Sequence, residues 1–178
     1  MSNRKTICDA AEISSMLDTL AQQIMESREN PEDLALVGIH RRGVYLARRI
    51  RERISGVGSA DVPTGDMDIN LYRDDWTGIS HQPEVRSTRI DFNVNRKQII
   101  FIDDVLYTGR TIRAALDAII DFGRPKRIEL AVLIDRGHRE LPIQADYVGR
   151  FVDTRRTDAV NVLVSEHDGT DRVDLVTV

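Results

Sequence analysis

Two adjacent acidic residues lie at the centre of the segment with the clearest chemistry. Asp103 and Asp104 follow an apolar run at residues 99–102, and Thr108 and Gly109 come a few positions later, at the predicted start of a helix. Backbone N–H groups at a helix N-terminus bind phosphate, and a glycine allows the phosphate to approach closely. The two carboxylates would repel that phosphate unless they held ribose hydroxyls or a hydrated magnesium ion. The segment therefore predicts a site for a ribose 5-phosphate.

Two other interpretations of the acidic pair remain open. Receiver domains that accept a phosphoryl group also have acidic residues after a strand, but they need a lysine at the end of a later strand. None of the three lysines, Lys5, Lys97 and Lys126, is predicted there. Alternatively, the pair is structural and Thr108 is only a helix cap, although buried unpaired carboxylates cost stability. A nucleoside-triphosphate loop is excluded because the sequence has no G-x-x-x-x-G-K-[ST] motif.

The elements that must position this segment follow from hydrophobic periodicity. Continuous apolar runs of strand length are typical of strands buried on both faces, and an alternating run predicts a strand with one polar side. The apolar runs cover residues 34–39, 99–102 and 128–134, the alternating run covers 67–71, and shorter strands are predicted at 147–152, 161–164 and 173–178. Asp9 and Glu12 form a predicted capping pair for a helix at 11–28, and further helices are expected after Gly43 and around Ile112.

This alternation of strands and helices predicts an α/β fold with a central, mostly parallel twisted sheet flanked by helices. Ligands of such sheets bind beyond the carboxyl ends of the strands. Four polar loops are expected at that edge: residues 40–43, 73–88, 103–111 and 135–141. The length of 178 residues is sufficient for a single domain, residues 1–178.

Composition limits the classes of function. The formal net charge of −4 argues against a protein that coats nucleic acid through bulk charge. Only three of the 25 basic residues are lysines, and arginine suits the recognition of phosphate and carboxylate, although genomic base composition also explains such a bias. The sequence contains one cysteine, Cys8, and neither an apolar stretch of bilayer length nor an N-terminal signal. These features predict a cytoplasmic protein without a membrane partner.

Four stretches of the sequence resemble a known family. Residues 99–111, IIFIDDVLYTGRT, resemble the thirteen-residue signature of type I phosphoribosyltransferases, and residues 37–43, 68–75 and 131–147 are similar to a branch of that family that regulates pyrimidine operons. The resemblance implies the type I phosphoribosyltransferase fold, with a flexible active-site loop at about 74–90 and a small hood at about 135–160. It also implies uracil phosphoribosyltransferase activity and attenuation of transcription through binding of leader mRNA, controlled by uridine nucleotides.

The resemblance assigns roles to residues of this sequence. Asp103 and Asp104 would hold the ribose hydroxyls, with Mg²⁺ bound nearby through phosphoribosyl pyrophosphate (PRPP) and water, and Arg73 would be catalytic. The ribose and 5-phosphate would be held by Val105, Leu106, Tyr107, Thr108, Gly109, Arg110 and Thr111. The pyrophosphate loop would be His40, Arg41, Arg42 and Gly43, in which a non-proline cis peptide is usual. Trp76 would help to seal the flexible loop or simply pack against the body.

The resemblance also assigns the binding of uracil and of RNA to residues in the range 134–156. Uracil would be recognised by Ile134, Asp135 and Arg136, and candidate RNA contacts are His138, Arg139, Arg150, Arg155 and Arg156. The implied partners are PRPP, uracil, UMP or UTP, the leader mRNA of a pyrimidine operon, and further copies of the chain in a homodimer or larger oligomer. Asp18, Gln22 and Gln144 stand where RNA-binding relatives tend to have hydroxyl or basic side chains. The alternatives are therefore a transferase without RNA binding, one for another base such as a purine, or a binding-only regulator.

Overall fold

A five-stranded, fully parallel sheet forms the centre of the structure, a computed structural model that describes residues 3–28, 31–56, 61–72 and 88–177. Its strand order is β3-β2-β4-β5-β6. The strands are β2 (Leu34–Ile39), β3 (Thr64–Met67), β4 (Gln98–Leu106), β5 (Arg127–Asp135) and β6 (Tyr147–Phe151). The central strands β2, β4 and β5 are apolar and buried along most of their length, as the continuous apolar runs predict.

A second, antiparallel sheet is built from both ends of the described chain. It contains β1 (Asn3–Cys8), β7 (Ala159–Leu163) and β8 (Arg172–Thr177), in the order β1-β8-β7. Asn3 is paired with Thr177, so the first strand is held by the last. Cys8, Val162 and Val173 of this sheet are buried in the core shared with the main sheet.

Both faces of the main sheet are covered by α1 (Ala10–Glu26), α2 (Arg42–Ser55) and α3 (Arg110–Ile120). A single helical turn, α4 (Ser165–Asp168), lies between β7 and β8. The predicted capping pair is present, because Asp9 accepts a hydrogen bond from the Glu12 backbone and Glu12 accepts one from the Asp9 backbone. No helix in these described ranges combines the length and the apolar character needed to cross a bilayer.

Alternating side chains of β4 divide the interior into two cores. Ile100 and Ile102 belong to a core with α1 and α2, and Ile99 and Phe101 belong to a core with α3 on the opposite face. This period of two within a wholly apolar strand places helices on both sides of the sheet. Consequently β4 is fixed from both faces, and it carries the acidic pair at its carboxyl end.

A buried ion pair joins the end of α1 to the amino-terminal edge of the sheet. Arg28 bonds to Glu129 of β5, and their side chains are 1% and 4% exposed. Arg28 also donates to the Gln98 side chain at 2.7 Å and to the Tyr147 hydroxyl at 3.1 Å. The pair therefore connects α1 with strands β4, β5 and β6 at the edge opposite the predicted site.

Several sequence predictions need correction. The strand predicted at 67–71 is instead β3 at Thr64–Met67, followed by a short 3-10 helix, Asn70–Tyr72, because its polar positions bond locally: Asp68 accepts from the Asn70 backbone. The first strand and α4 were not predicted. Part of the range predicted for the hood, 135–160, belongs to the main sheet, since β6 pairs with β5. Of the predicted flexible loop at 74–90, only residues 88–90 are described, and Arg89 forms a bridge with Asp66.

Candidate active site

The acidic pair lies within β4 and not after it. The strand continues to Leu106, and Asp103 and Leu106 are in register with Val132 and Asp135 of β5. The Asp104 backbone donates to the Asp103 carboxylate at 2.9 Å, and the Val105 backbone donates to the Asp104 carboxylate at 2.8 Å. Both carboxylates are therefore fixed by their own backbone at the carboxyl edge of the sheet.

The Asp104 carboxyl is subject to opposing electrostatic effects. Burial raises the pKa of its carboxyl, while a hydrogen bond with Asp103 and the charge of Arg42 act in the opposite direction. Two neighbouring carboxylates with little water repel each other, and a cation or hydroxyl donors relieve that repulsion. The pair is thus suited to bind a diol or a hydrated divalent ion.

The loop after β4 forms a small cavity beside Asp103. It measures about 240 Å³ and is bounded by Asp103 and residues 105–112, which include all of the predicted binding residues at 105–111. Gly109 precedes α3 with φ of +92°. The Thr108 carbonyl accepts hydrogen bonds from the backbones of Glu140 and Leu141, at 2.9 and 3.2 Å. The backbone N–H groups between Thr108 and Thr111, here called the phosphate nest, are therefore held in place by the fold, as phosphate binding at a helix start requires.

Gly109 supports a direct prediction. Its φ lies in the left-handed region, and an added Cβ would lie 3.2 Å from the Ile143 Cβ, so Gly109→Ala should distort the nest. We expect the affinity for a ribose 5-phosphate to fall by about tenfold or more, measured by calorimetry with UMP as the probe. Gly169→Ala is the matched control, because Gly169 has φ of +74° and nothing within 4 Å of an added Cβ. Equal losses in the two variants would contradict the role given to Gly109.

The loop after β2 is held close to the acidic pair. The His40–Arg41 peptide bond is cis, as the family resemblance implies. The His40 backbone donates to the Met67 carbonyl of β3 at 2.9 Å. Gly43 packs against β4: an added Cβ would lie 2.3 Å from the Ile102 carbonyl oxygen and 3.2 Å from the Asp103 Cα. Only glycine allows this approach, which brings the two predicted loops together.

The two arginines of this loop differ in their surroundings. The Arg42 guanidinium binds both carboxylate oxygens of Asp168 in α4, at 2.8 and 2.9 Å. The side chain of Arg41 is exposed, and no ion pair to it is found among the residues that the structure describes. Asp168 was not predicted from the sequence, because it is an acidic residue in a tail segment with no local motif, 126 positions from its partner.

The pair with Arg42 predicts a dependence of stability on acid. The hydrogen bonds from Arg42 lower the pKa of Asp168 from 3.8 to about 2. A carboxyl with a lowered pKa in the folded state stabilises the fold above its unfolded pKa, and this contribution is lost as the pH falls through the folded value. Asp168→Asn should therefore destabilise the protein at about pH 5 and much less near pH 2. Urea unfolding of both proteins at the two pH values measures this; a difference independent of pH would contradict it.

The segment after β5 packs on the other side of the nest. Arg136 is 6% exposed and its guanidinium lies 4.1 Å from the centre of the Tyr107 ring. It donates to the Arg155 carbonyl at 3.0 Å, and its backbone donates to the Leu106 carbonyl at 3.1 Å. Ile134 is fully buried, and Asp135 forms an ion pair with Arg139. The residues predicted for uracil thus lie against the strand end that carries the acidic pair.

The candidate RNA contacts are already engaged within the chain. His138 bonds to the Thr154 carbonyl at 2.6 Å, and Arg139 binds Asp135 and the Tyr107 carbonyl. The other three bind carboxylates of the chain: Arg150 pairs with Glu12, Arg155 with Asp158, and Arg156 with Glu140. Contact of these arginines with RNA phosphates would have to compete with, or share, the existing pairs. Arg73 and Trp76, and with them most of the predicted flexible loop, lie outside the described residues.

Comparison with known proteins decides the family. Residues 3–168 match the family model described as a phosphoribosyl transferase domain. A protein of Desulfosudis oleivorans named "Bifunctional protein PyrR" is 54% identical over 97% of this chain and 96% of its own length. The protein of the same name from Thermus thermophilus is 56% identical, over 95% of this chain and 93% of its own. This chain belongs to the PyrR family of phosphoribosyltransferases.

Solved structures support the fold of this PyrR family member. A hypoxanthine phosphoribosyltransferase of Trypanosoma cruzi superposes with a TM-score of 0.72 over 97% of this chain and 95% of its own, at 15% identity. A hypoxanthine-guanine phosphoribosyltransferase of Bacillus anthracis superposes with a TM-score of 0.71 over 97% of each chain, at 18% identity. At such identities the similarity concerns the fold alone. It confirms the type I phosphoribosyltransferase architecture expected from the sequence.

Proposed function

We propose that the protein converts uracil and PRPP into UMP and pyrophosphate, and that uridine nucleotides in the same site control its binding to the leader mRNA of a pyrimidine operon. The observation that carries the proposal is the meeting of three groups at one sheet edge. These are the acidic pair of β4, the cavity that Gly109 helps to line, and the loop of Gly43, which packs so closely on Ile102 and Asp103 that a Cβ would not fit there. The acidic pair adjoins both the cavity and the loop of Gly43, just as the ribose of PRPP lies between its 5-phosphate and its pyrophosphate.

The phosphate nest and the acidic pair bind different parts of the sugar phosphate. The 5-phosphate is held by backbone N–H groups between Thr108 and Thr111, with the helix dipole of α3 adding a favourable field. Asp103 and Asp104 accept hydrogen bonds from the ribose hydroxyls, which offsets the mutual repulsion of the carboxylates. A ligand that lacks either the diol or the phosphate loses one of the two anchors.

Magnesium fits the donor set of this edge. The groups on offer are carboxylate oxygens, which Mg²⁺ prefers, and no cluster of three or more His, Cys, Asp or Glu among the described residues could hold a metal alone. Asp103 and Asp104 would therefore hold the ion together with water and PRPP. When bound, it would neutralise charge on the pyrophosphate. Arg41 adds positive charge from the loop of residues 40–43.

The reaction follows from these positions. The bond between C1 of the ribose and the pyrophosphate oxygen breaks, its electron pair leaves with pyrophosphate, and the sugar acquires oxocarbenium character, as in glycoside transfer. Arginine and backbone N–H groups of the loop at 40–43 stabilise the negative charge of the leaving group. The uracil N1 then attacks C1 from the other face and loses its proton. Main-chain groups at Ile134–Arg136 orient uracil for this attack.

Regulation requires only that the occupied and empty sites differ in their affinity for RNA. The segment from Asp135 to Arg139 would link the two functions, since Arg136 packs on the Tyr107 ring and Arg139, a candidate RNA contact, donates to the Tyr107 carbonyl. We place the protein in the cytoplasm, as a homodimer or larger oligomer in which two such segments form one RNA surface. Arginines there would contact RNA phosphates and splayed loop bases.

A base-competition assay tests the catalytic part of this proposal. Purified protein is incubated with Mg²⁺, PRPP and an equimolar mixture of uracil, hypoxanthine and guanine, and the nucleotides are separated and quantified. UMP should be the dominant product. A purine nucleotide as the main product would overturn the assignment of uracil, and absence of every nucleotide would leave a binding-only regulator.

A gel-shift titration tests the regulatory part. RNA from the leader upstream of the neighbouring pyrimidine genes is titrated with protein, with and without UMP, at one fixed salt concentration because phosphate contacts depend on salt. Affinity should rise when UMP is present. Identical affinities in both series would remove the regulatory half of the proposal while leaving the enzyme intact.

A further inference from the structure

One face of helix α2 is fastened to the turn that connects the last two strands. Arg42, Tyr45 and Arg49 are spaced three and four positions apart and therefore lie on the same side of the helix. All three contact residues 164–171, the turn that contains α4 and joins β7 to β8. The pyrophosphate loop leads directly into the first turn of α2, so this contact reaches the candidate site.

The contact nearest the site is a bidentate ion pair between Arg42 and Asp168. Arg42 binds Asp168 through Nε and Nη2, in the bidentate geometry that fixes a guanidinium in both position and orientation. The two side chains are only 26% and 15% exposed. Asp168 itself is oriented, because it accepts a hydrogen bond from the Val164 backbone at 2.9 Å.

Two further contacts continue along the same face. The Tyr45 ring stacks on His167, with centroids 6.3 Å apart and planes at 22°. Arg49 binds Glu166, Asp171 and the Ser165 hydroxyl, at distances from 2.5 to 3.0 Å. These contacts hold the turn on the helix independently of Asp168, so Asp168 can act on Arg42 from a fixed support.

The position of Arg42 in the chain also connects it to the acidic pair, because the next residue, Gly43, packs directly against Ile102 and Asp103 of β4. No described residue accepts a hydrogen bond from Arg42 Nη1. Arg42 thus connects three parts of the site: the loop that leads into α2, the acidic pair on β4, and the turn at 164–171. We therefore expect Arg42 to influence where the backbone of residues 40–43 lies relative to the acidic pair.

We propose that Asp168 is a positioning residue for pyrophosphate and PRPP, acting through Arg42 on the loop at 40–43. The inference rests on the proposed function of that loop. Asp168 fixes one edge of the Arg42 guanidinium and holds the first turn of α2 in the geometry that receives the pyrophosphate group. It has no part in binding the ribose 5-phosphate or uracil, which lie with β4, α3 and the segment after β5.

The experiment compares ligands with and without a pyrophosphate group. Calorimetry with Mg²⁺ measures the dissociation constants of PRPP, pyrophosphate and UMP for the wild type and Asp168→Asn. Binding of PRPP and pyrophosphate should weaken by between about tenfold and a hundredfold, the usual result when a bound group loses the residue that orients it. UMP affinity should stay within about twofold. In steady-state assays the KM for PRPP should rise while kcat at saturation changes little.

Glu166→Gln is the matched control, a carboxylate-to-amide change in the same turn that leaves Arg49 bound to Asp171. It should leave all three affinities unchanged. Equal weakening of UMP and PRPP in Asp168→Asn, or no weakening of PRPP, would overturn the inference. Should Asp168→Asn fail to fold, Arg42→Lys takes its place, because lysine cannot bind both carboxylate oxygens, and unchanged PRPP affinity there overturns it too.

The wild-type measurements separate the two proposals. If the wild type binds neither UMP nor PRPP, the proposed function fails and this inference fails with it. If the wild type binds both ligands and Asp168→Asn behaves like the wild type, only the positioning role of Asp168 is wrong.

Discussion

Asp104→Asn is expected to lower the rate of UMP formation from uracil and PRPP by about a hundredfold or more. The amide removes one of the two negative charges that, in the proposed function, bind the ribose hydroxyls and magnesium, and it brings an N–H donor next to Asp103. Steady-state assays with PRPP varied at saturating uracil measure the effect. The fold should be preserved, since the repulsion between Asp103 and Asp104 is relieved and the pKa of Asp104 is already raised by burial.

Asp117→Asn is the matched control for this variant. Asp117 lies on the exposed side of α3 and pairs with Arg113 at 3.0 Å, so its replacement tests the same chemical change away from the site. Its kinetic constants should equal those of the wild type, and its stability should fall by less than about 1 kcal/mol. An Asp104→Asn enzyme that keeps full activity would show that the acidic pair is a structural feature of the strand.

Among the variants proposed here, Arg28→Met should lower the free energy of unfolding most, by about 3–5 kcal/mol. Arg28 and Glu129 are almost completely buried, and removing the guanidinium leaves the Glu129 carboxylate in the interior without its principal partner. Arg127 also reaches Glu129, at 2.9 Å, but its side chain is 61% exposed and compensates only partly. Urea unfolding followed by circular dichroism gives the free energy of unfolding.

Two further variants examine the cause of that loss. Arg51→Met removes an arginine that is 44% exposed and whose partner, Asp61, is 82% exposed, and it should cost less than about 1 kcal/mol. The double variant Arg28→Met/Glu129→Gln removes both charges and should recover part of the stability lost in Arg28→Met. A double variant less stable than Arg28→Met alone would contradict the explanation by an unpaired buried charge.

Most of the main sheet could be predicted because its signals are local. The apolar runs that became β2, β4 and β5 and the capping pair Asp9 and Glu12 each depend on neighbouring residues, and the structure confirms them. The strand β1 could not be predicted in this way. Its residues are mostly exposed and polar, and it exists because β8 pairs with it from the other end of the chain.

In the candidate site, too, features with a local sequence signal were predicted and features that depend on distant residues were not. The segment around Asp103 and Gly109 has a compact sequence motif, and the structure places it beside the loop of Gly43, as parallel strand ends require. The partner of Arg42 had no such signal. Asp168 reaches Arg42 only because the antiparallel sheet brings the turn between β7 and β8 to α2, which is a property of the tertiary fold and not of any local pattern.

The order β1-β8-β7 has a consequence for synthesis of the chain. Because β8 is the middle strand, β1 can form its hydrogen bonds only after residues 172–177 have been synthesised and have left the ribosome. A chain truncated before residue 172 would leave both β1 and β7 without the strand that pairs with them.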